Sequence, residues 1–273
     1  CDPDTDRVGI AVNDGTGKMQ LLNGNDTAAL LVHYILDAYK TNGTLPANGF
    51  TAATVVTTDL IADISAAYGV PCYRCLTGFK WIADIINNKP EEQFLVGGEE
   101  SYGYLIGDEV RDKDAVASAV MIAEMAANAK AQGRTVLQQL EAIHREFGQY
   151  QERLIAVTKK GRSGAQEIAD MMTALRNDPP KTLAGSPVII AIDHGKSTQT
   201  DLLTGATSST ELPASNVLQF ITEAGDKVSA RPSGTEPKIK FYFSVRATTG
   251  ESHAATKAEL ERKIDTFIEE LNL

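Results

Sequence analysis

Apolar and polar positions along this chain alternate between a helical and a strand-like period, and the points where one gives way to the other mark its elements. Val8–Val12 reads as a strand closed by the turn Asn13-Asp14-Gly15-Thr16-Gly17. A helix follows from about Asp26 to Lys40, with Leu30, Leu31, Tyr34, Ile35 and Ala38 on one face. Thr54–Thr57 is a short strand, Leu60–Tyr68 a helix stopped by Gly69, and Val70–Leu76 another strand. Thr77 stands where it can cap a helix over Phe79–Ile86, and Gln93–Val96 is a further strand. Two long helices, about Lys113–Gln132 and Thr135–Phe147, are separated by Gly133, with Thr135 capping the second. Strands alternating with helices in this rhythm predict an α/β layered domain.

From about Tyr150 the pattern changes. Strand Arg153–Thr158, helix Ala165–Leu175 and the turn Asp178-Pro179-Pro180 lead to strand Val188–Ile192. Strands near Val217–Thr222 and Lys227–Ala230 flank the turn Glu223-Ala224-Gly225-Asp226. Ile239–Val245 alternates cleanly, with Ile239, Phe241, Phe243 and Val245 on one face and Lys240, Tyr242 and Ser244 on the other. That alternation belongs to a half-buried strand of an antiparallel sheet. A closing helix, Ala254–Leu271, gathers Leu260, Ile264, Phe267, Ile268 and Leu271 on one side. The second unit is therefore expected to be α+β, with the boundary near residues 148–150.

The chain's 273 residues exceed one typical domain, which agrees with two units. A composition of 42% hydrophobic and 23% charged residues is ordinary for a globular protein and excludes disorder. No apolar run reaches the roughly 18–20 residues of a membrane span, and there is no signal-peptide pattern, so a cytoplasmic protein is expected. A net charge of −10 argues against nucleic acid as a partner. It also means that an anionic substrate needs local arginine, lysine or metal. Cys1, Cys72 and Cys75 form no disulfide framework. Cys72-Tyr73-Arg74-Cys75 has no second CxxC to complete a zinc site and reads as part of a half-buried strand.

Four loops carry candidate chemistry. In Cys1-Asp2-Pro3-Asp4-Thr5-Asp6-Arg7, three carboxylates at alternate positions can hold a hard divalent cation, and Arg7 beside them suits a phosphate. An EF-hand is excluded because the positions that need Gly and Glu hold Arg7 and Asn13. The chain opens on this loop without an initiator Met, which reads as a fragment whose upstream part is missing. Arg231-Pro232-Ser233-Gly234-Thr235-Glu236-Pro237-Lys238 joins two expected strands and combines hydroxyls, backbone N–H groups and a guanidinium into a phosphate cradle. Gly97-Gly98-Glu99-Glu100-Ser101-Tyr102-Gly103 follows a strand and turns sharply, presenting Glu99 and Ser101 outward to vicinal hydroxyls. Thr77-Gly78-Phe79-Lys80-Trp81 places Lys80 at a helix start, where it can meet an anion. Gly195-Lys196-Ser197 only imitates the end of a phosphate-binding P-loop, because Ile190 stands where the first glycine is required.

Taken in this order, the loops resemble the α-D-phosphohexomutase family, the phosphoglucomutase/phosphomannomutase enzymes. Gly98-Glu99-Glu100-Ser101-Tyr102-Gly103-Tyr104, followed by Val110-Arg111-Asp112-Lys113-Asp114, is most similar to the bacterial phosphoglucomutase branch. The resemblance implies that residues 1–15 end domain 2. Residues 16–148 would form domain 3, a mixed-sheet α/β/α sugar-binding domain, and residues 149–273 domain 4, an α+β phosphate-binding domain with a mainly antiparallel sheet. Asp2, Asp4 and Asp6 would bind Mg²⁺, with Arg7 near the transferring phosphoryl group and Lys80 as an anion contact or proton-transfer group. Glu99 and Ser101 would hold sugar hydroxyls, and Arg231, Ser233, Gly234 and Thr235 the non-reacting phosphate.

The implied reaction interconverts hexose 1-phosphate and hexose 6-phosphate, glucose foremost, through a phosphoserine enzyme and glucose 1,6-bisphosphate. No Ser-His-Asn-Pro type loop for the phosphoserine is present. Upstream domains 1 and 2 are thus the expected partners, and the isolated chain is expected to be inactive. A non-catalytic phosphosugar-binding module and a metal-dependent sugar phosphatase remain as alternatives. The second fits less well, since Asp6 stands where haloacid-dehalogenase-like enzymes carry Thr or Val. The residues do not separate glucose from mannose, glucosamine or pentose phosphates.

Overall fold

The chain divides between Gly148 and Gln149 into two units. The computed structural model describes every residue of the 273 except Lys160, Arg162, Thr235, Thr249 and Glu251.

The first unit opens with a hairpin of β1 (Ile10–Asn13) and β2 (Met19–Leu22), paired only with each other among the described residues. There follow α1 (Gly24–Thr41), β3 (Gly49–Thr54), α2 (Leu60–Ala67), β4 (Cys72–Cys75), α3 (Lys80–Asn88), β5 (Gln93–Gly98), β6 (Tyr104–Ile106), α4 (Ala115–Ala131) and α5 (Val136–Phe147). The sheet order is β4-β3-β5-β6, with β3 parallel to β4 and β5, and β6 antiparallel. One face of it is covered by α3, whose Ile82 and Ile86 pack with Phe50, Ala52, Phe94 and Leu105. On the other, Thr51 of β3 shares a buried 2.8 Å hydroxyl contact with Ser65 of α2. The result is a mixed-sheet α/β/α layer.

Local chemistry sets the helix ends. Asn23 caps α1 by accepting from the Asp26 N–H, and Asp114 caps α4 by accepting from Val116 and Ala117. Thr135 and Gln138 form a reciprocal capping box on α5.

The second unit is built on β7 (Gln149–Thr158), α6 (Gly164–Asn177), β8 (Thr182–Leu183), β9 (Ser186–Asp193), β10 (Thr198–Asp201), β11 (Thr207–Ser209), β12 (Leu218–Thr222), β13 (Lys227–Pro232), β14 (Lys238–Ala247) and α7 (His253–Glu270). Its sheet runs β11-β10-β9-β12-β13-β14-β7, antiparallel throughout, with β8 added against β9. Ile239, Phe241, Phe243 and Val245 of β14 enter one core with Ile168 and Met172 of α6 and Leu260, Ile264 and Phe267 of α7. Asp226, fully buried, fixes the β12–β13 turn by pairing with Lys263 of α7 at 2.5 Å and accepting the Arg246 N–H. Losing Lys263 would leave the buried Asp226 charge without its counter-ion.

Some expectations need correction. The strand placed at Thr54–Thr57 is β3, and it ends at Thr54. All six of its residues are buried, so it carries no alternation, and tertiary contacts override the weak strand preference of Gly and Ala. Thr77 does not cap α3, whose N-cap is Phe79 with no side-chain hydrogen bond. Helix α4 starts at Ala115 rather than Lys113, since Asp114 caps it. The short strands β2, β6, β8, β10 and β11 are additional.

Candidate functional site

The acidic loop is drawn into a knot by its own first carboxylate. Asp2 Oδ1 accepts the backbone N–H groups of Asp6 (3.2 Å) and Arg7 (3.0 Å), and the Asp2 N–H donates to the Arg7 carbonyl at 3.2 Å. Desolvation pushes the Asp2 carboxyl up, but those N–H donors and the Arg7 guanidinium outweigh it and hold it below the ordinary carboxylate range. The curl forces Thr5 to φ +59°, an unusual conformation for a β-branched residue. Tyr102 and Arg111, in loops nearby in the same unit, also have positive φ. Outside contacts hold the knot in place, since Val8 N–H donates to the Tyr102 carbonyl (3.1 Å) and Ala115 N–H to the Thr5 carbonyl (3.3 Å).

Ligand oxygens of Asp2, Asp4 and Asp6 lie within 4.8 Å of one another. Arg7 flanks them, with Nη1 3.7 Å from Asp2 and Nε 3.8 Å from Asp6. Asp6 Oδ1 is buried without a hydrogen bond. Three hard oxygen donors on one short loop, one of them with an unsatisfied buried oxygen, fit a divalent cation of the Mg²⁺ or Ca²⁺ kind.

Sequence reasoning gave Lys113 no role, and the structure brings it here. Its Nζ lies 2.9 Å from Asp6 Oδ2 and 3.3 Å from Asp112 Oδ1. The same ammonium sits 5.7 Å from the Phe79 ring centre, and the lysine stem crosses the face of Gly103. Lys113 therefore joins the acidic loop to the 77–81 and 97–103 loops.

Those two loops lie beyond the carboxyl ends of the parallel strands β4 and β5, where open α/β sheets bind ligands. Glu99 turns inward: it is 7% exposed, and Oε1 accepts the Gly78 N–H at 2.7 Å. Ser101 is half-buried in the turn that follows. Gly24 at the start of α1 makes room for this turn, because a Cβ there would lie 1.9 Å from the Glu100 carbonyl oxygen. Lys80 is exposed, with its Nζ 5.0 Å over the Trp81 ring and no carboxylate partner among the described residues.

Another contact that the sequence did not reveal is structural. Arg74 binds the carbonyls of Thr57 (2.7 Å) and Thr58 (3.3 Å) and the Asp59 carboxylate (3.0 Å), clamping the turn after β3. The polar run Thr57-Thr58-Asp59 directly after an apolar stretch was the available signal. In the CxxC pair Cys72 is half-buried and Cys75 buried, and burial pushes the Cys75 thiol up to about 12, so it is a poor nucleophile at neutral pH.

In the second unit, Arg231–Lys238 is the connection between β13 and β14. Ser233 N–H donates to the Lys238 carbonyl at 2.7 Å, and Lys238 pairs with Glu236 at 3.0 Å. Gly234 is exposed, and Thr235 lies outside the described residues. Arg231 has no ion-pair partner among the described residues and stands opposite Lys240 in the strand register. Facing residues of an antiparallel pair share one side of the sheet, and like charges there repel unless an anion sits with them.

Residues 23–147 match the family described as phosphoglucomutase/phosphomannomutase, alpha/beta/alpha domain III. A phosphoglucomutase of Staphylococcus epidermidis is 38% identical over 245 residues, 89% of this chain and 44% of that protein. A Haemophilus influenzae protein named "probable phosphomannomutase" is 35% identical over 265 residues, 96% of this chain and 49% of that one. The chain thus spans about half the length of the curated relatives it matches. The same fold occurs in the crystal structure of pp63/parafusin from Paramecium, at TM-score 0.67 and 18% identity, over 100% of this chain and 44% of that one. The matched domain begins at residue 23, beyond the β1–β2 hairpin, whereas a boundary at residue 15 falls inside the hairpin turn.

Proposed function

This chain belongs to the phosphoglucomutase/phosphomannomutase family, and from that premise we propose that it is part of a phosphosugar mutase interconverting hexose 1-phosphate and hexose 6-phosphate. Glucose phosphate is the substrate we favour, since the relative with 38% identity is a phosphoglucomutase. The observation that carries the reading is the gathering of Asp2, Asp4, Asp6, Arg7 and Lys113 beside the loop that holds Glu99. On this reading residues 1–22 close domain 2, and a phosphoserine, domain 1 and the rest of domain 2 come from sequence outside these 273 residues. The setting is cytoplasmic; no helix among the described residues is long and apolar enough to cross a membrane.

Asp2, Asp4 and Asp6 would hold Mg²⁺, which when bound neutralises charge on the transferring phosphoryl oxygens. Arg7 donates from the same loop toward those oxygens, its planar fork suiting two at once. The Gly78 N–H fixes one Glu99 oxygen, so the carboxylate is oriented before the sugar arrives, and the other oxygen accepts a hydroxyl. Ser101 supplies a second hydroxyl contact. Arg231, Ser233, Gly234 and Thr235, joined by Lys240 across the strand pair, hold the phosphate that is not reacting. Glucose 1,6-bisphosphate is the intermediate, and its reorientation exchanges the reacting phosphate with the non-reacting one. Lys80, exposed at the start of α3, is an anion contact on the rim.

The test is conversion of glucose 1-phosphate to glucose 6-phosphate with Mg²⁺ and catalytic glucose 1,6-bisphosphate, comparing this chain with a full-length protein that carries it. Turnover by the full-length protein and none by this chain supports the proposal. Net phosphate release would mean a phosphatase. Binding of phosphosugars without turnover in either protein would mean a binding module.

A further inference from the structure

We propose that Lys113 is a built-in counter-ion of the acidic loop, taking on Asp6 the charge that a divalent cation would take, and thereby setting how tightly the loop binds that cation. The inference rests on the reading of Asp2, Asp4 and Asp6 as cation ligands.

Lys113 is not an ordinary surface lysine. Its side chain is 13% exposed, and its ammonium is held between Asp6 at 2.9 Å and Asp112 at 3.3 Å. The route to that position depends on residue 103 having no side chain: a Cβ on Gly103 would lie 2.4 Å from Lys113 Cδ and 2.8 Å from Cγ. The Phe79 ring, 5.7 Å from the ammonium, bounds the position on another side. A lysine confined on three sides has given up rotamer freedom that surface lysines keep.

Charge explains what the confinement achieves. Asp2, Asp4, Asp6 and Asp112 face Arg7 and Lys113, leaving a formal excess of two negative charges that one divalent cation cancels. Without Lys113 the excess is three, and the carboxylates repel one another more strongly when no cation is present. Asp6 is the hinge of the arrangement. Its Oδ2 is engaged by Lys113, while its Oδ1 is buried with no hydrogen bond among the described residues and lies 3.8 Å from Arg7 Nε. A cation binding to Asp6 therefore meets the Lys113 ammonium as a competitor for the same carboxylate. Repulsion between a single and a double positive charge about 6 Å apart is worth about tenfold in affinity even under water-like screening.

The experiment is Mn²⁺ titration of the chelator-treated 273-residue chain, with free Mn²⁺ read by electron paramagnetic resonance and the fold checked by circular dichroism. The variants are Lys113→Met, Lys113→Arg and Asp4→Ala. Lys113→Met is expected to bind Mn²⁺ about tenfold tighter than wild type, Lys113→Arg within about twofold, and Asp4→Ala far more weakly. If Lys113→Met fails to fold, Gly103→Ala replaces it, because displacing the stem should tighten binding in the same direction. Unchanged or weaker binding by Lys113→Met, with wild type binding and Asp4→Ala not, overturns the counter-ion role alone. Binding by Asp4→Ala equal to wild type, or by none of the proteins, overturns the cation reading and this inference with it.

Discussion

The acidic loop and the Arg231–Lys238 loop are both short and charged, and each is proposed to meet phosphate, yet they are built in opposite ways. The first is tied by backbone hydrogen bonds through Asp2, Val8 and Ala115, holds Thr5 at φ +59° and has a confined lysine against it. The second is a connection between two neighbouring strands, closed by local contacts among Ser233, Glu236 and Lys238, with open space around Gly234. The difference matches what each would have to do on the proposed reading. Bond-making at a phosphoryl group depends on placement to a fraction of an ångström, whereas gripping a spectator phosphate depends mainly on charge and donors.

The largest effect should come from Asp4→Ala in the full-length protein. Asp4 is exposed and makes no hydrogen bond or ion pair among the described residues, so truncation would remove a proposed cation ligand without undoing the Asp2-centred knot. We expect kcat for glucose 1-phosphate to fall by roughly 100-fold or more, with KM changing only a few-fold. Retained kcat would mean that the acidic loop is not where the chemistry occurs.

Next is the scaffold behind the loops. Gly24→Ala sets a Cβ 1.9 Å from the backbone oxygen of Glu100, where no side chain can swing aside. Urea unfolding of this chain should show the first unit losing about 3 kcal/mol. An unchanged midpoint would show that α1 and the 97–103 loop are free to separate, and that the first region is less tightly built than the comparison requires.

Arg231→Ala should have a smaller and different effect. Arg231 has no ion-pair partner among the described residues and stands opposite Lys240, so its removal should weaken phosphate holding, raising KM about 30-fold with kcat nearly kept. A fall in kcat as large as that of Asp4→Ala would mean that both loops work in the chemical step.

The two regions also differed in how far sequence could read them. The Arg231–Lys238 segment was legible as a loop because its residues are consecutive and lie beside a strand whose alternation, Ile239 to Val245, is plain. Lys240 was visible as an outward position, but its place opposite Arg231 depends on strand register. In the first unit the carboxylates were legible and Lys113 was not, because its link to Asp6 joins residues far apart in the chain. Glu99 was expected to face outward, and the partner that turns it inward, the Gly78 N–H, belongs to another loop. β3 was misplaced for a related reason: buried on both faces, it offers no polar side to give its register away.

The smallest expected effect is the sharpest check on the comparison. A Cβ on Gly234 meets no atom within 4 Å, in direct contrast to Gly24 and Gly103. Alanine there keeps the backbone N–H, so stability should change by no more than about 0.5 kcal/mol and KM by less than about threefold. Thermal melts of this chain and substrate titrations of the full-length protein measure both. If stability holds but KM rises as far as with Arg231→Ala, the phosphate must approach the main chain so closely that no side chain fits beside it. The second loop would then be as demanding as the first, with its constraint appearing only when the ligand arrives.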